Sequence, residues 1–201
     1  MEMSRLPLLD MVYTKKIDRE TLVIVASELL EQEGLDAVSM RRLAQALDVR
    51  ASSLYHHFAD KSALLSAVAE KGLHLLAAEL EQARAWADSD AHQQIRALGM
   101  AYREWALLHP QLYLLLFGST PVEEPSSPTG RAVAAQMVAV ATQLVGEQKA
   151  VAAAQAAWAF VHGFVMLELA GQMQLGDPVE GFLLGLEVFA QGLDSNRMTS
   201  P

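Results

Sequence analysis

The sequence predicts an all-α protein of about nine helices, and three observations carry that prediction. Apolar residues recur at helical spacing, and strand-type alternation is missing. Ala, Leu, Gln and Glu dominate the long segments. Residues that start or stop helices stand where the periodic segments begin and end.

Taken in order, Leu22, Val25, Ala26, Leu29 and Leu30 fall at i, i+3, i+4, i+7 and i+8, one apolar stripe, and Gly34 stops that helix. Ser39 caps a short second helix whose inner face is Leu43, Ala44 and Leu47. Asp48 and Val49 make a tight turn, with Asp48 able to take a left-handed backbone. A short third helix covers about 51–57, and Asp60 caps a long fourth that runs into the eighties. Further helices are expected over about 91–108, 110–118, 129–146, 148–173 and 178–194, with Pro110 opening one of them. Residues 118–130, GSTPVEEPSSPTG, hold three prolines and two glycines and read as a loop. The last eight residues, DSNRMTSP, read as a frayed tail.

The 201 residues, 52% hydrophobic and 19% charged, describe a globular chain able to bury a core. No cysteine is present, which excludes disulfides and thiolate chemistry and fits a reducing cytoplasm. The first sixteen residues do not read as a signal peptide, because Pro7 and Asp10 interrupt a short apolar run. Residues 150–167 carry no formal charge, yet Gln155 and His162 stand inside a run rich in Ala and Gly. They read as a helix covered on most of its faces, for instance between subunits, and not as a membrane span.

The net charge of −9 is uneven. Residues 1–72 hold nine Lys and Arg against eleven Asp and Glu, so the C-terminal part carries −7 of the total. An acidic total leaves room for a local patch that meets nucleic acid. Such a patch stands at 39–61. Two short helices joined by a tight turn are a helix-turn-helix pattern, whose second helix presents its N-terminal residues to base edges. Here those are Arg50, Ala51 and Ser52, with His56 one turn on; Arg reads guanine and Ser serves either kind of base. Ser39, Ser53, Tyr55, His57 and Lys61 supply the hydroxyls and cations that phosphates want. Arg41 and Arg42 join them on the preceding helix, and Lys15, Lys16 and Arg19 form a small basic group before the first. Each has a plainer reading beside this one: Tyr55 at the edge of the core, His57 in helix packing, and the arginines and lysines on solvated faces. Leu54, Phe58 and Val49 read as core.

SMRRLAQALDVRASSLYHHFADKSALL, 39–65, resembles the DNA-binding signature of the TetR-like transcriptional regulators. Leu54, Tyr55, His57 and Phe58 match its LY-x-HF, and Lys61 and Leu64 match its K-x-x-L; Asp48 departs from the usual glycine. The resemblance covers about residues 19–70. It implies an all-helical homodimer, with DNA binding in residues 1–60 after a short arm, and ligand binding and dimerisation in 61–201. HPQLYLLLFGS, 109–119, and AAWAFVHGFVMLELA, 156–170, are similar to a subgroup with a Trp…His-Gly element, matched by Trp158, His162 and Gly163.

Under that resemblance the expected partners are a pseudo-palindromic double-stranded operator, a second copy docked through about 148–173 and 178–194, and a small effector. Ala153, Ala156, Ala157, Gly163 and Gly171 would allow close helix approach between subunits. Tyr102, Trp105, Tyr113, Phe117, Met137, Trp158, His162 and Met166 are the candidate pocket residues as a set, although core is the safer reading for any single one of them, as for Trp86. A large apolar interior suggests a lipophilic effector. The expected outcome of binding is release of DNA by a repressor in the cytoplasm. No nucleophile–base pair, metal constellation or glycine-rich phosphate loop is legible, so neither an enzyme nor a cofactor is expected. A plain small-molecule binder and a non-specific DNA binder are the alternatives.

Overall fold

The structure, a computed structural model, describes residues 18–87, 89–118 and 127–198. Lys15, Lys16, the N-terminal arm and most of the 118–130 loop lie outside the described residues. Among the described residues there are nine helices and no strand. They are α1 (Arg19–Glu33), α2 (Met40–Ala46), α3 (Ala51–Leu54), α4 (Lys61–Trp86), α5 (Ala91–Leu108), α6 (Pro110–Phe117), α7 (Pro128–Val145), α8 (Glu147–Leu169) and α9 (Pro178–Met198). The described residues form two compact units, one holding residues up to 72 together with 111–118, the other holding 73–110 together with 127–198.

In the first unit the stops and starts fall on capping residues. Asp18 caps α1 by accepting from Thr21 N at 2.8 Å. Gly34 closes it at φ 80, where L side chains are strained, and returns its N–H to Leu30 O at 2.9 Å. The stripe read from the sequence is the core: Leu22, Ala26, Leu29 and Leu30 are fully buried, and Leu43, Leu54, Phe58, Leu64 and Val68 join them. Each such leucine stabilises the unit by about 1.5–3 kcal/mol on burial. α6 joins this unit because the Glu31 carboxylate on α1 accepts from the first backbone N–H groups of α6, Gln111 at 3.1 Å and Leu112 at 2.9 Å. Gly72 then lets Leu112 lie against α4, since a Cβ there would stand 2.9 Å from Leu112 Cδ1.

In the second unit α7 and α8 pack through alanines. Ala141, Ala150, Ala153 and Ala154 are buried together, with Met137, Val138, Val145 and Leu193 against them. Small side chains bring the two backbones close. Phe160, Phe164 and Phe182 form an aromatic cluster between α8 and α9, with Phe182 fully buried. Arg103 of α5 and Glu168 of α8 form a two-pronged ion pair, Nε to Oε2 at 2.8 Å and NH2 to Oε1, with the guanidinium 5.7 Å over the Phe182 ring.

Several boundaries differ from the sequence reading. The third helix is shorter, ending at Leu54, and hydrogen-bonded turns carry the chain to Phe58. α7 opens at Pro128, whose missing N–H is harmless in a first turn capped by Ser127. α8 ends at Leu169, four residues early, because Gly171 at φ 68 closes it through Glu168 O. α9 continues to Met198, through most of the expected tail, since no glycine or proline interrupts 193–200.

α8 is long and apolar enough to cross a membrane by length and composition alone. The expectation that it is covered on most faces does not hold within one chain. Only 28% of its most apolar window is buried, and Val151, Trp158 and Leu167 are exposed. Ala153 and Ala157, read as contacts between subunits, instead face the interior of their own unit; Ala156 is exposed.

Candidate nucleic-acid interface

The interface is built from three local devices. Ser39 Oγ accepts from Arg42 N at 3.1 Å and starts α2. Asp48, at φ 53, is the one described non-glycine residue with positive φ, and it reverses the chain in the left-handed region. Val49 N then donates to Ala44 O at 3.0 Å, which clamps the turn to α2. Asp60 Oδ1 accepts from Ala63 N at 2.8 Å and starts α4. Between them α3 is held by Leu54 and Phe58, both buried.

That burial decides what faces outward. Arg41, Arg50, Ser52, Ser53, Tyr55 and His56 are exposed; Ser39, Arg42, Ala51, His57 and Lys61 are half-buried. Tyr55 is 55% exposed, so it is not a core residue with its hydroxyl at the edge. The positively charged and hydroxyl side chains named from the sequence therefore share the α2–α3 segment and the start of α4.

Several already have partners inside the unit. Arg42 pairs with Glu33 through Nε at 3.0 Å and through NH2. That contact holds the Glu33 carboxyl below its ordinary range and the guanidinium above its own. Lys61 Nζ donates to Leu35 O at 3.0 Å, and Ser53 Oγ donates to Arg50 O at 2.6 Å. Arg19 lies 4.7 Å over the Phe58 ring. Sequence reasoning missed these because the partners stand up to 39 positions away; only Ser53–Arg50 is a local spacing that signals its bond.

The second unit holds an apolar cavity of about 40 Å³ between α4, α5, α7, α8 and α9. Of the candidate pocket residues, Tyr102 and Met137 line it, beside Leu80, Leu98, Gly99, Val161 and Leu186 among others. Trp105 is buried against His109, their rings 5.3 Å apart. Trp158 donates from Nε1 to the Tyr102 hydroxyl at 3.2 Å and lies 5.7 Å from the His162 ring. Burial holds the His162 imidazole below its ordinary pKa. Met166 is half-buried on α8 outside the lining. Tyr113 and Phe117 belong to the first unit, where they pack on each other at 5.1 Å. Trp86 is exposed.

Residues 22–68 match the family of bacterial regulatory proteins of the tetR type, and residues 95–189 match the tetracyclin repressor-like C-terminal domain. The chain is 33% identical over 165 residues to the HTH-type transcriptional regulator Rv0681 of Mycobacterium tuberculosis, covering 79% of this chain and 73% of that one. Its fold is similar to that of a protein from Rhodococcus sp. RHA1, with a TM-score of 0.80, 31% identity, and coverage of 90% and 98% of the two chains. It is also similar to BioQ in complex with its double-stranded DNA operator, with a TM-score of 0.65, 27% identity, and coverage of 90% and 99%. The chain belongs to the TetR family of helix-turn-helix transcriptional regulators.

Proposed function

We propose that the protein is a dimeric repressor that reads a pseudo-palindromic operator and lets go when a lipophilic molecule enters its second unit. The observation that carries this reading is the outward face of 50–56, where Arg50, Ser52, Tyr55 and His56 are exposed over a buried Leu54. In this reading Arg50, Ala51, Ser52 and His56 meet base edges. Ser39, Arg41, Arg42, Ser53, Tyr55, His57 and Lys61 meet or position the phosphates. The likeness to BioQ bound to its operator supports the same use of the segment. DNA binding is assigned to residues up to 60, and effector binding and pairing to 61–201.

The exposed apolar side of α8 and α9, with Val151, Leu184 and Val188, suits a second copy. Pairing there would set two recognition helices one helical turn of DNA apart, roughly 34–36 Å. Work in the cytoplasm, where the operator is, follows from this reading. α4 runs from the capped start beside α3 into the unit that holds the cavity, so it is the natural carrier of an effector signal. The effector must favour the DNA-incompetent state for release to occur.

Selection of bound duplexes from a random pool tests the reading, run with wild type and with Tyr55→Ala plus Arg50→Ala. An enriched palindrome lost in the variant supports it. Enrichment without a sequence, and with a steep salt dependence, favours a non-specific binder. No binding to any duplex at low salt sinks both.

A further inference from the structure

The cavity of the second unit is apolar on every wall. Among its lining residues Tyr102 alone carries an N–H or O–H on its side chain, and that hydroxyl accepts from Trp158 Nε1 at 3.2 Å. The lining residues all stand on helices, whose interior backbone groups bond to one another. No charged side chain lines the cavity; Arg103 and Glu168 are paired with each other. Two buried side-chain polar atoms among the described residues lack a hydrogen-bond partner, the indole N–H of Trp105 and the amide oxygen of Gln136, but neither residue belongs to the lining. A buried water needs about two to four polar partners, and these walls do not supply them.

Its size is as informative as its polarity. The volume of about 40 Å³ admits about three water-sized spheres at about 10–15 Å³ each, which correspond to about 90 Å³ of liquid. One six-membered carbon ring fills that space. Small residues open it: Gly99, Ala141, Ala153, Ala154 and Ala157 all line the cavity. Ala141, Ala153 and Ala154 belong to the close packing of α7 on α8, whereas Ala157 stands outside that group and is half-buried.

We infer that the cavity takes a compact, uncharged hydrocarbon of one ring, which makes no hydrogen bond to the protein. Burial of its apolar surface is the driving force, and no bound water has to be replaced. A carboxylate or an ammonium group would lose its hydration with no counter-charge in the lining. A second fused ring or a long chain would exceed the volume and force the packed walls apart. This assignment rests on the effector-binding reading above and narrows its lipophilic effector to the monocyclic hydrocarbons.

The test is a titration of the full-length protein, isotope-labelled at its methionine methyls, with benzene, phenol, benzoate and naphthalene. Met137 lines the cavity and Met166 does not, so one reports on the site and the other serves as a control. Met137→Ala assigns the Met137 resonance by its loss. Benzene is expected to move the Met137 methyl, to leave Met166 in place and to raise the unfolding midpoint as its concentration rises. Phenol binds no more tightly than benzene, and benzoate binds about a hundredfold more weakly. Ala157→Leu fills the cavity and weakens benzene by about tenfold or more. Met137→Ala enlarges it and binds naphthalene about tenfold more tightly than wild type does, read from the unfolding midpoint. The gain in Met137→Ala carries the test if Ala157→Leu does not fold.

No response to benzene overturns the assignment. So does benzene moving Met166 as far as Met137, which would mean partition into the protein at large. Phenol binding tenfold more tightly than benzene, or benzoate binding as well as benzene, would show a polar or charged partner that the lining does not hold. Unchanged naphthalene affinity in Met137→Ala overturns it as well. The readout needs no DNA. If benzene binds as described and operator selection fails, the regulatory reading falls alone; if an operator is selected and benzene does not bind, the hydrocarbon site falls alone.

Discussion

The Glu31 carboxylate spans eighty residues of sequence to cap α6, accepting from Gln111 N and Leu112 N at once. Two backbone donors at a helix start, with the positive end of the helix dipole behind them, suit an anionic partner. Glu31→Ala is expected to lower the unfolding free energy by about 1–2 kcal/mol, the scale of a lost cap. Glu31→Gln, which keeps one acceptor oxygen and loses the charge, should fall between. Urea denaturation reads this as a shift of midpoint at constant slope; an unchanged midpoint in Glu31→Ala means the contact does not hold α6.

The ion pair of the second unit behaves differently, because both partners are buried. The Arg103 and Glu168 side chains are 8% and 14% exposed. Removing one partner leaves the other charge without compensation in an apolar surrounding that includes Phe182. Arg103→Met and Glu168→Leu are each expected to destabilise by about 3–5 kcal/mol, and the double variant to recover most of that loss. A double-mutant cycle on thermal or urea unfolding checks it. Additive losses would show that the two side chains act independently.

What the sequence revealed and what it hid divide by distance along the chain. Ser39, Asp60 and Gly34 act on groups three or four residues away, so their roles were readable from spacing. The outward direction of Ser52, Tyr55 and His56 followed from the buried positions of Leu54 and Phe58. The Arg103–Glu168 and Glu31–α6 contacts link residues 65 and 80 or more apart, and no local pattern announces either. Lys61, a phosphate-contact candidate by sequence, donates to the Leu35 carbonyl 26 positions away, a bond that no local pattern announces. The pocket was the least legible feature. Aromatic residues at helical spacing do not tell which unit they face, so Tyr113 and Phe117 pack in the first unit while Tyr102 lines the cavity in the second. Gln136, whose amide oxygen is one of the two unpartnered atoms, carried no signal at all in the sequence.

Asp48 offers a test of the turn itself. Its φ of 53 lies where an L side chain is crowded, and Asp tolerates the strain better than most residues but less well than glycine. Asp48→Gly is expected to stabilise the first unit by about 0.5–1 kcal/mol, and Asp48→Val to destabilise it by about 1–2 kcal/mol. Thermal unfolding of the two variants beside wild type measures both signs. A destabilised glycine variant would mean that the Asp48 side chain contributes more than its backbone costs.

His162 gives the fold a pH dependence whose direction is fixed by burial. Desolvation lowers its pKa in the folded protein below the ordinary value of about 6.5 that it regains on unfolding. Below about pH 6.5 the unfolded chain therefore binds a proton at this site that the folded chain does not. The neutral ring's contribution is fully present above that pH and is lost as the pH falls toward the lower folded value. His162→Gln is expected to unfold at a similar urea midpoint to wild type near pH 8, and at a relatively higher one near pH 5.5. Comparing the two proteins at both pH values isolates this histidine from the other five, which are common to both. A difference between the proteins that does not change with pH would show that the ring titrates alike in the folded and unfolded states.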